Sequence, residues 1–119
     1  MTRMTFLLEA FVIAAVVLVP LPAKTAAQAW QSFAVSYADN KNKGMFTAQY
    51  KILRQRKGCR MTIRLINKID RNISSYWFTF TFTEGGKHES RMTDHPAGEV
   101  YEWNYEKCGL KNVRISEIE

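Results

Sequence analysis

The sequence predicts an all-β domain, a sandwich or barrel of about seven short antiparallel strands with one disulfide. From Trp30 onward apolar side chains recur at every second position, which is the period of a strand with one buried face. Turn-forming residues interrupt that pattern roughly every 8–12 residues. No stretch after Trp30 shows the apolar period of a helix.

Residues 1–29 are predicted to be a secretory signal peptide. A basic start precedes the apolar run AFVIAAVVLVPL at residues 10–21, and the small residues of AQA precede a cut before Trp30. The alternative is an uncleaved anchor, although the apolar run is shorter than the about 20 residues of a membrane span. Cleavage would leave residues 30–119 as one exported domain, periplasmic or secreted. Retention would tether it to a membrane.

The first two predicted strands alternate around a polar loop at residues 38–44. The segment SFAVSY places three apolar side chains on one face, Phe33, Val35 and Tyr37. The segment MFTAQYKIL places four inward, Phe46, Ala48, Tyr50 and Ile52. Both faces are predicted to line the core.

The next strand, CRMTIRLIN, separates an apolar face from a basic one. Its inward residues are Cys59, Met61, Ile63 and Leu65. Its outward residues are Arg60, Thr62 and Arg64, with Lys68 in phase. Because two cysteines in an exported chain predict a disulfide, Cys59 is expected to bridge to Cys108 from inside the core.

The segment SSYWFTFTFTEGG carries an aromatic at every second position. Four aromatics are predicted to form the inner face of a central strand, Tyr76, Phe78, Phe80 and Phe82. Trp77 points to the opposite face, and it would lie near Arg60 and Arg64 if the two strands pair. An exposed Trp beside Arg is typical of interface hot spots. The alternative is a cation–π pair within the monomer.

The remaining sequence predicts a hairpin and two further strands. Gly85-Gly86 is a hairpin signal, KHESRM a short edge strand and DHPAGE a loop. Tyr101, Trp103 and Tyr105 share one face of the following strand. Val113 and Ile115 point inward from the last strand.

Three landmarks in order resemble the FxLYD-type domains of bacterial exported proteins. They are TIRLIN at residues 62–67, FTFTEGGK at residues 80–87 and PAGE at residues 96–99. The resemblance spans residues 62–105, and it implies a small immunoglobulin-like sandwich that acts as a non-enzymatic module. Phe82, Thr83 and Glu84 replace the Leu, Tyr and Asp of the family pattern.

The chain is basic, with 17 Lys and Arg against 11 Asp and Glu. The candidate binding residues are Trp77 and a basic cluster of Arg54, Arg56, Lys57, Arg60, Arg64 and Lys68, with Lys51 and Arg71 nearby. A patch of one sign attracts polyanions, here lipopolysaccharide phosphates, another acidic envelope polymer or an acidic protein face. Nucleic acid is not expected, because no aromatic-interleaved motif is present. The alternative is a solvated face that protects a sheet edge.

Catalytic and cofactor motifs are not evident in the sequence. His88 and His95 are the only histidines, and their spacing with Asp94 matches no zinc framework. Both are expected to be solvated loop residues. No cofactor, metal or catalytic residue is therefore predicted.

The sequence favours a non-enzymatic interaction module that binds a protein in the periplasm, the envelope or the extracellular space. One alternative is a polyanion binder that works through the basic strand. A second is a small hydrolase or metal-dependent enzyme, which would need a cleft that gathers His88, His95 and carboxylates.

Overall fold

The computed structural model describes residues 29–119, so residues 1–28 of the predicted signal segment lie outside the described part. Two four-stranded sheets are stacked. Sheet I has the order β1-β3-β4-β7, with bounds Gln31–Phe33, Phe46–Gln55, Gly58–Asn67 and Val100–Tyr105. Sheet II has the order β2-β8-β5-β6, with bounds Val35–Tyr37, Leu110–Ser116, Ile73–Phe82 and Lys87–His95. No helix within residues 29–119 has the length and apolar character that crossing a membrane requires.

The all-β prediction is confirmed, and the strand count is eight in the described part rather than about seven. The predicted first strand is split at Ala34, so that β1 joins sheet I and β2 joins sheet II. The pairing is antiparallel except for β2, which runs parallel to β8 with Val35 opposite Val113. The predicted short edge strand is β6, which extends over nine residues and takes in Asp94 and His95 from the predicted loop.

The period-two faces predicted from the sequence form one core between the sheets. Cys59, Met61, Ile63 and Leu65 are buried on β4, and Tyr76, Phe78, Phe80 and Phe82 are buried on β5. The aromatic side chains stack through the layer: Phe78 lies 4.6 Å from Trp103 and Phe82 lies 4.9 Å from Tyr105, centroid to centroid. Burying each large aromatic removes apolar surface from water at about 25 cal/mol per Å².

The predicted disulfide between Cys59 and Cys108 is confirmed. Cys59 is the second residue of β4 in sheet I. Cys108 lies in the connection between β7 in sheet I and β8 in sheet II. The bond therefore fixes the crossing point of the chain at one end of the sandwich.

Both hairpin turns are set by glycines with positive φ, a conformation that glycine adopts without steric cost. Gly58 (φ 107°) follows the two-residue turn Arg56-Lys57 between β3 and β4. Gly85 (φ 105°) and Gly86 (φ 87°) lie in the four-residue loop between β5 and β6. The hairpin predicted at Gly85-Gly86 is thus present, with a longer loop than a two-residue turn.

Beyond β8 the chain still pairs with sheet II. The amide of Glu119 donates to the carbonyl of Ser75 at 2.8 Å, and the amide of Ser74 donates to the carbonyl of Glu119 at 2.8 Å. Residues at the two ends of the described chain therefore both contribute to sheet II.

Candidate functional site

The outward side of sheet I carries a cluster of cations, which we call the basic face. It consists of Lys51 on β3 and Arg60 and Arg64 on β4, with Trp30 lying over it from the segment before β1. The alternation of β4 directs these side chains outward because the residues between them are buried in the core. The predicted outward position of Arg60 and Arg64 is therefore confirmed.

Trp30 makes cation–π contacts with two of the cations on this face. The Arg64 guanidinium carbon lies 3.9 Å from the indole centroid, and the Lys51 ammonium lies 4.7 Å from it. Arg64 is held in place by a 2.7 Å hydrogen bond from its Nε to the Gln49 side-chain oxygen. A cation over an indole contributes about 0.5–1 kcal/mol at an exposed site.

The cations of the basic face have no ion-pair partner within the described residues. Glu102 is opposite Arg64 in the β4–β7 register, yet no salt bridge joins them. Residues 29–119 hold a single salt bridge, between Lys41 and Asp39 on an exposed turn. Glu102 and Glu106 lie on the same side of sheet I, beside Arg64 and Arg60, but neither closes an ion pair with them.

The other predicted basic residues fall into three places. Arg56 and Lys57 form the exposed tip of the β3–β4 hairpin, next to Arg60. Arg54 instead contacts the disulfide, and its Nη1 donates to the Cys59 sulfur at 3.5 Å. Lys68 is exposed and follows the last residue of β4, Asn67, and its amide still donates to the Met45 carbonyl at 2.9 Å.

The predicted proximity of Trp77 to Arg60 and Arg64 is wrong. β4 and β5 do not pair: they lie in different sheets, so Trp77 points outward from sheet II while the two arginines point outward from sheet I. Trp77 is half-buried between Arg91 on β6 and Ser116 on β8. The tryptophan that accompanies the arginines is Trp30, which the sequence marked only as the residue after the predicted cleavage site.

Both histidines belong to β6, which corrects the expectation that they are solvated loop residues. His95 is fully buried at the end of the strand and stacks on Tyr101 with ring centroids 4.0 Å apart. Its Nε2 donates to the Glu99 carbonyl at 2.8 Å, so its Nδ1 accepts from the Tyr76 hydroxyl at 2.7 Å. Burial lowers the pKa of His95 and raises that of Tyr76, which keeps both groups neutral.

Asn67 completes this polar cluster at one end of the core. Its side-chain amide donates to the carbonyls of Arg71 at 2.9 Å and His95 at 2.8 Å, and its side-chain oxygen accepts from the Ile69 amide at 3.0 Å. Every polar atom of this fully buried side chain is satisfied. The cluster closes the sandwich where the β4–β5 and β6–β7 connections meet.

His88 lies seven residues earlier on β6, with its Nδ1 2.5 Å from the hydroxyl of Tyr105 across the sandwich. At about 3.3 Å per strand residue, the two histidines are about 23 Å apart along the strand. They do not share a cleft, which the enzyme alternative required. Within residues 29–119 no three His, Cys, Asp or Glu side chains come together to hold a metal ion.

The chain matches no protein-family model, and comparisons with curated proteins and with solved structures find no match.

Proposed function

We propose that the protein is an exported, non-enzymatic interaction module that uses the basic face to bind an acidic surface of a protein partner in the periplasm, the envelope or the extracellular space. The observation that carries this proposal is Trp30 stacked on Arg64 and Lys51 with no carboxylate ion pair in the described residues. Trp and Arg are the side chains most enriched in interface hot spots.

The pre-organisation of the face supports binding. Gln49 fixes the Arg64 guanidinium and Trp30 covers its flat side, so less side-chain entropy is lost when a carboxylate docks. The face lies on two paired ten-residue strands, which hold it rigidly. A partner therefore meets a preformed arrangement of cations.

Removal of the predicted signal peptide would change the charge of the basic face. Cleavage before Trp30 would create a new α-amino group on the residue that stacks on Arg64. That group would add positive charge to the basic face. In this proposal an unprocessed chain binds the acidic partner more weakly than the processed one.

The resemblance to immunoglobulin-like, FxLYD-type domains concerns the arrangement of the strands. A split first strand whose second half pairs parallel with the last strand supports it. In the constant-type immunoglobulin order the second and third strands lie in different sheets. If β1 and β2 are counted as one split first strand, the second and third strands here are β3 and β4, and both lie in sheet I. The strand order therefore differs from the constant-type order. Shared architecture is in any case no guide to a partner.

The test is capture of partners from envelope or culture extracts by the exported domain and by variants with a matched control. Trp30→Ala and Arg64→Glu are expected to lower capture at least about tenfold, which corresponds to the loss of one hot-spot contact. Arg114→Glu changes the net charge by the same amount on the outward side of sheet II and should leave capture unchanged. Equal loss in Arg114→Glu and Arg64→Glu would refute a site on the basic face.

A second candidate, binding to an anionic polymer such as lipopolysaccharide, is favoured by one observation. Arg56 and Lys57 at the hairpin tip extend the positive charge beyond Arg60, and both are exposed. Polymer binding should fall steeply with salt and should weaken in Arg56→Glu/Lys57→Glu. It should be insensitive to Trp30→Ala, whereas the protein-partner proposal requires the opposite pattern.

A further inference from the structure

β6 is a long edge strand. It pairs with β5 on one side, and sheet II has no strand on its other side within the described residues. Edge strands of such length usually carry a device that limits pairing with other chains. The charges on β6 are of both signs, so they disfavour some pairings with another chain and permit others.

The register shows which backbone groups of β6 face outward from the sheet. Thr81 is opposite Lys87, and the Phe82 amide donates to the Gly86 carbonyl at 3.1 Å. This makes Thr81–Lys87 a non-hydrogen-bonded pair of the antiparallel ladder. The backbone amides and carbonyls that point away from β5 therefore belong to alternate residues, Lys87, Glu89, Arg91 and Thr93.

The side chains of those same residues are exposed on the outward side of sheet II. In chain order they are positive, negative, positive and neutral. Glu89 and Arg91 form no salt bridge within the described residues. The edge thus offers backbone donors and acceptors together with two opposite charges two residues apart.

We propose that two copies of the protein pair through their β6 edges, antiparallel, about a two-fold axis at Ser90. In this register Glu89 is opposite the partner's Arg91 and Arg91 is opposite the partner's Glu89. Each of these is a hydrogen-bonded backbone pair, because both residues direct their amides and carbonyls outward. Opposite charges directly across a ladder stabilise the pairing.

The neighbouring registers are disfavoured by the same side chains. A shift by two residues in one direction places Glu89 opposite the partner's Glu89 and Lys87 opposite the partner's Arg91. A shift in the other direction places Arg91 opposite the partner's Arg91. Since like charges opposite each other are destabilising, both neighbouring registers are disfavoured. A two-fold axis at His88 would also place Glu89 opposite the partner's Lys87, but it overlaps only residues 87–89 of each β6, whereas the axis at Ser90 pairs residues 87–93.

The pairing joins the two copies of sheet II into one continuous sheet. It leaves the basic face on sheet I exposed in both copies, so it is independent of the function proposed above. Two basic faces on one dimer would engage a multivalent acidic surface with higher avidity than a monomer.

A charge-swap experiment tests the proposal by sedimentation velocity on the purified protein. The wild type should be a dimer, whereas Glu89→Arg alone and Arg91→Glu alone should each weaken dimerisation at least about tenfold. An equimolar mixture of the two variants restores both Glu–Arg pairs and should dimerise. Arg114→Glu, on the same sheet but away from the edge, is the matched control and should stay dimeric.

Disulfide trapping tests the register separately. Ser90→Cys places two cysteines on the two-fold axis in a non-hydrogen-bonded pair, about 4.5 Å apart between Cα atoms, within the range that a disulfide spans. It should cross-link on mild oxidation, and Glu89→Cys and Arg91→Cys should not. A monomeric wild type, no recovery in the mixture, or preferential cross-linking of either control would overturn the proposal.

Discussion

The Tyr76 hydroxyl and the His95 imidazole form a buried hydrogen bond of 2.7 Å whose direction is fixed by a third group. The Glu99 carbonyl can only accept, so Nε2 of His95 carries the proton and Nδ1 accepts from Tyr76. A neutral histidine of defined tautomer therefore lies at one end of the core. Its removal or protonation should have measurable consequences.

The unfolding free energy should fall as the pH drops below about 6.5, the ordinary pKa of histidine. Burial lowers the pKa of His95 in the folded state, so the unfolded chain binds more protons below that pH. The stabilisation is present above pH 6.5 and is lost as the pH approaches the lowered pKa. Urea unfolding at about pH 7.5 and about pH 5 measures the difference, since most carboxylates titrate below that interval.

The control for this pH dependence is His95→Phe, which removes the titrating group and keeps an aromatic ring beside Tyr101. The variant should be less stable at neutral pH because it loses two hydrogen bonds, and its stability should change less between the two pH values. An unchanged pH slope would show that His95 is not the source.

Tyr76→Phe should lower the unfolding free energy by about 1–3 kcal/mol, because it leaves His95 Nδ1 buried without a donor. Tyr50→Phe is the matched control. The Tyr50 hydroxyl bonds to the Gln31 side chain at 3.1 Å at an exposed site, so its loss should cost less than about 0.5 kcal/mol. Equal losses in the two variants would contradict the buried hydrogen bond.

Asn67→Asp should destabilise the fold by at least about 3 kcal/mol, although the two side chains have nearly the same shape. The Asn67 amide donates to two carbonyls, and an ionised carboxylate would place acceptor against acceptor. Thermal and urea unfolding at neutral pH measure the loss.

Asn104→Asp serves as the comparison for that substitution. The Asn104 side-chain oxygen accepts from the Thr62 hydroxyl at 2.7 Å on an exposed face, a role that a carboxylate can keep. Its stability should stay within about 0.5 kcal/mol of the wild type. If Asn104→Asp proved as damaging as Asn67→Asp, donation by the Asn67 amide would not be the cause.

Removing the disulfide with Cys59→Ala/Cys108→Ala should cost about 4 kcal/mol in the chain-entropy model, given a sequence separation of 49 residues. For a domain of this size such a loss is a large part of the total stability. Unfolding of the oxidised wild type, the reduced wild type and the double variant gives the value. The last two should agree, and a reduced wild type as stable as the oxidised one would contradict the prediction.

The buried faces were predictable because strand alternation depends only on neighbouring residues. Leu65 and Phe80 lie on the inner faces that their period assigned to them. Sheet membership was not predictable in the same way. The connection after Asn67 carries the chain from sheet I to sheet II, and nothing in the alternation of Arg64 or Trp77 reports that crossing.

The polar cluster and the tryptophan of the basic face were missed for different reasons. Asn67 was predicted to end a strand and His95 to lie in a loop, and neither was assigned a buried polar role, because only the fold brings their hydrogen-bond partners within reach. Trp30 was considered only for its place next to the predicted cleavage site. The available signal was its position one residue before β1, the strand that pairs with the strand of Lys51.

The parallel pairing of Val35 with Val113 and the hydrogen bonds of Glu119 to β5 determine when the molecule can fold during synthesis. Sheet II cannot be completed while its final strand is still within the ribosome. The nascent chain therefore cannot complete this sheet until the residues through Glu119 have left the ribosome, and contacts this distant in sequence form slowly. A secretion machinery that accepts only unfolded chains would thus have a long time window in which to engage it.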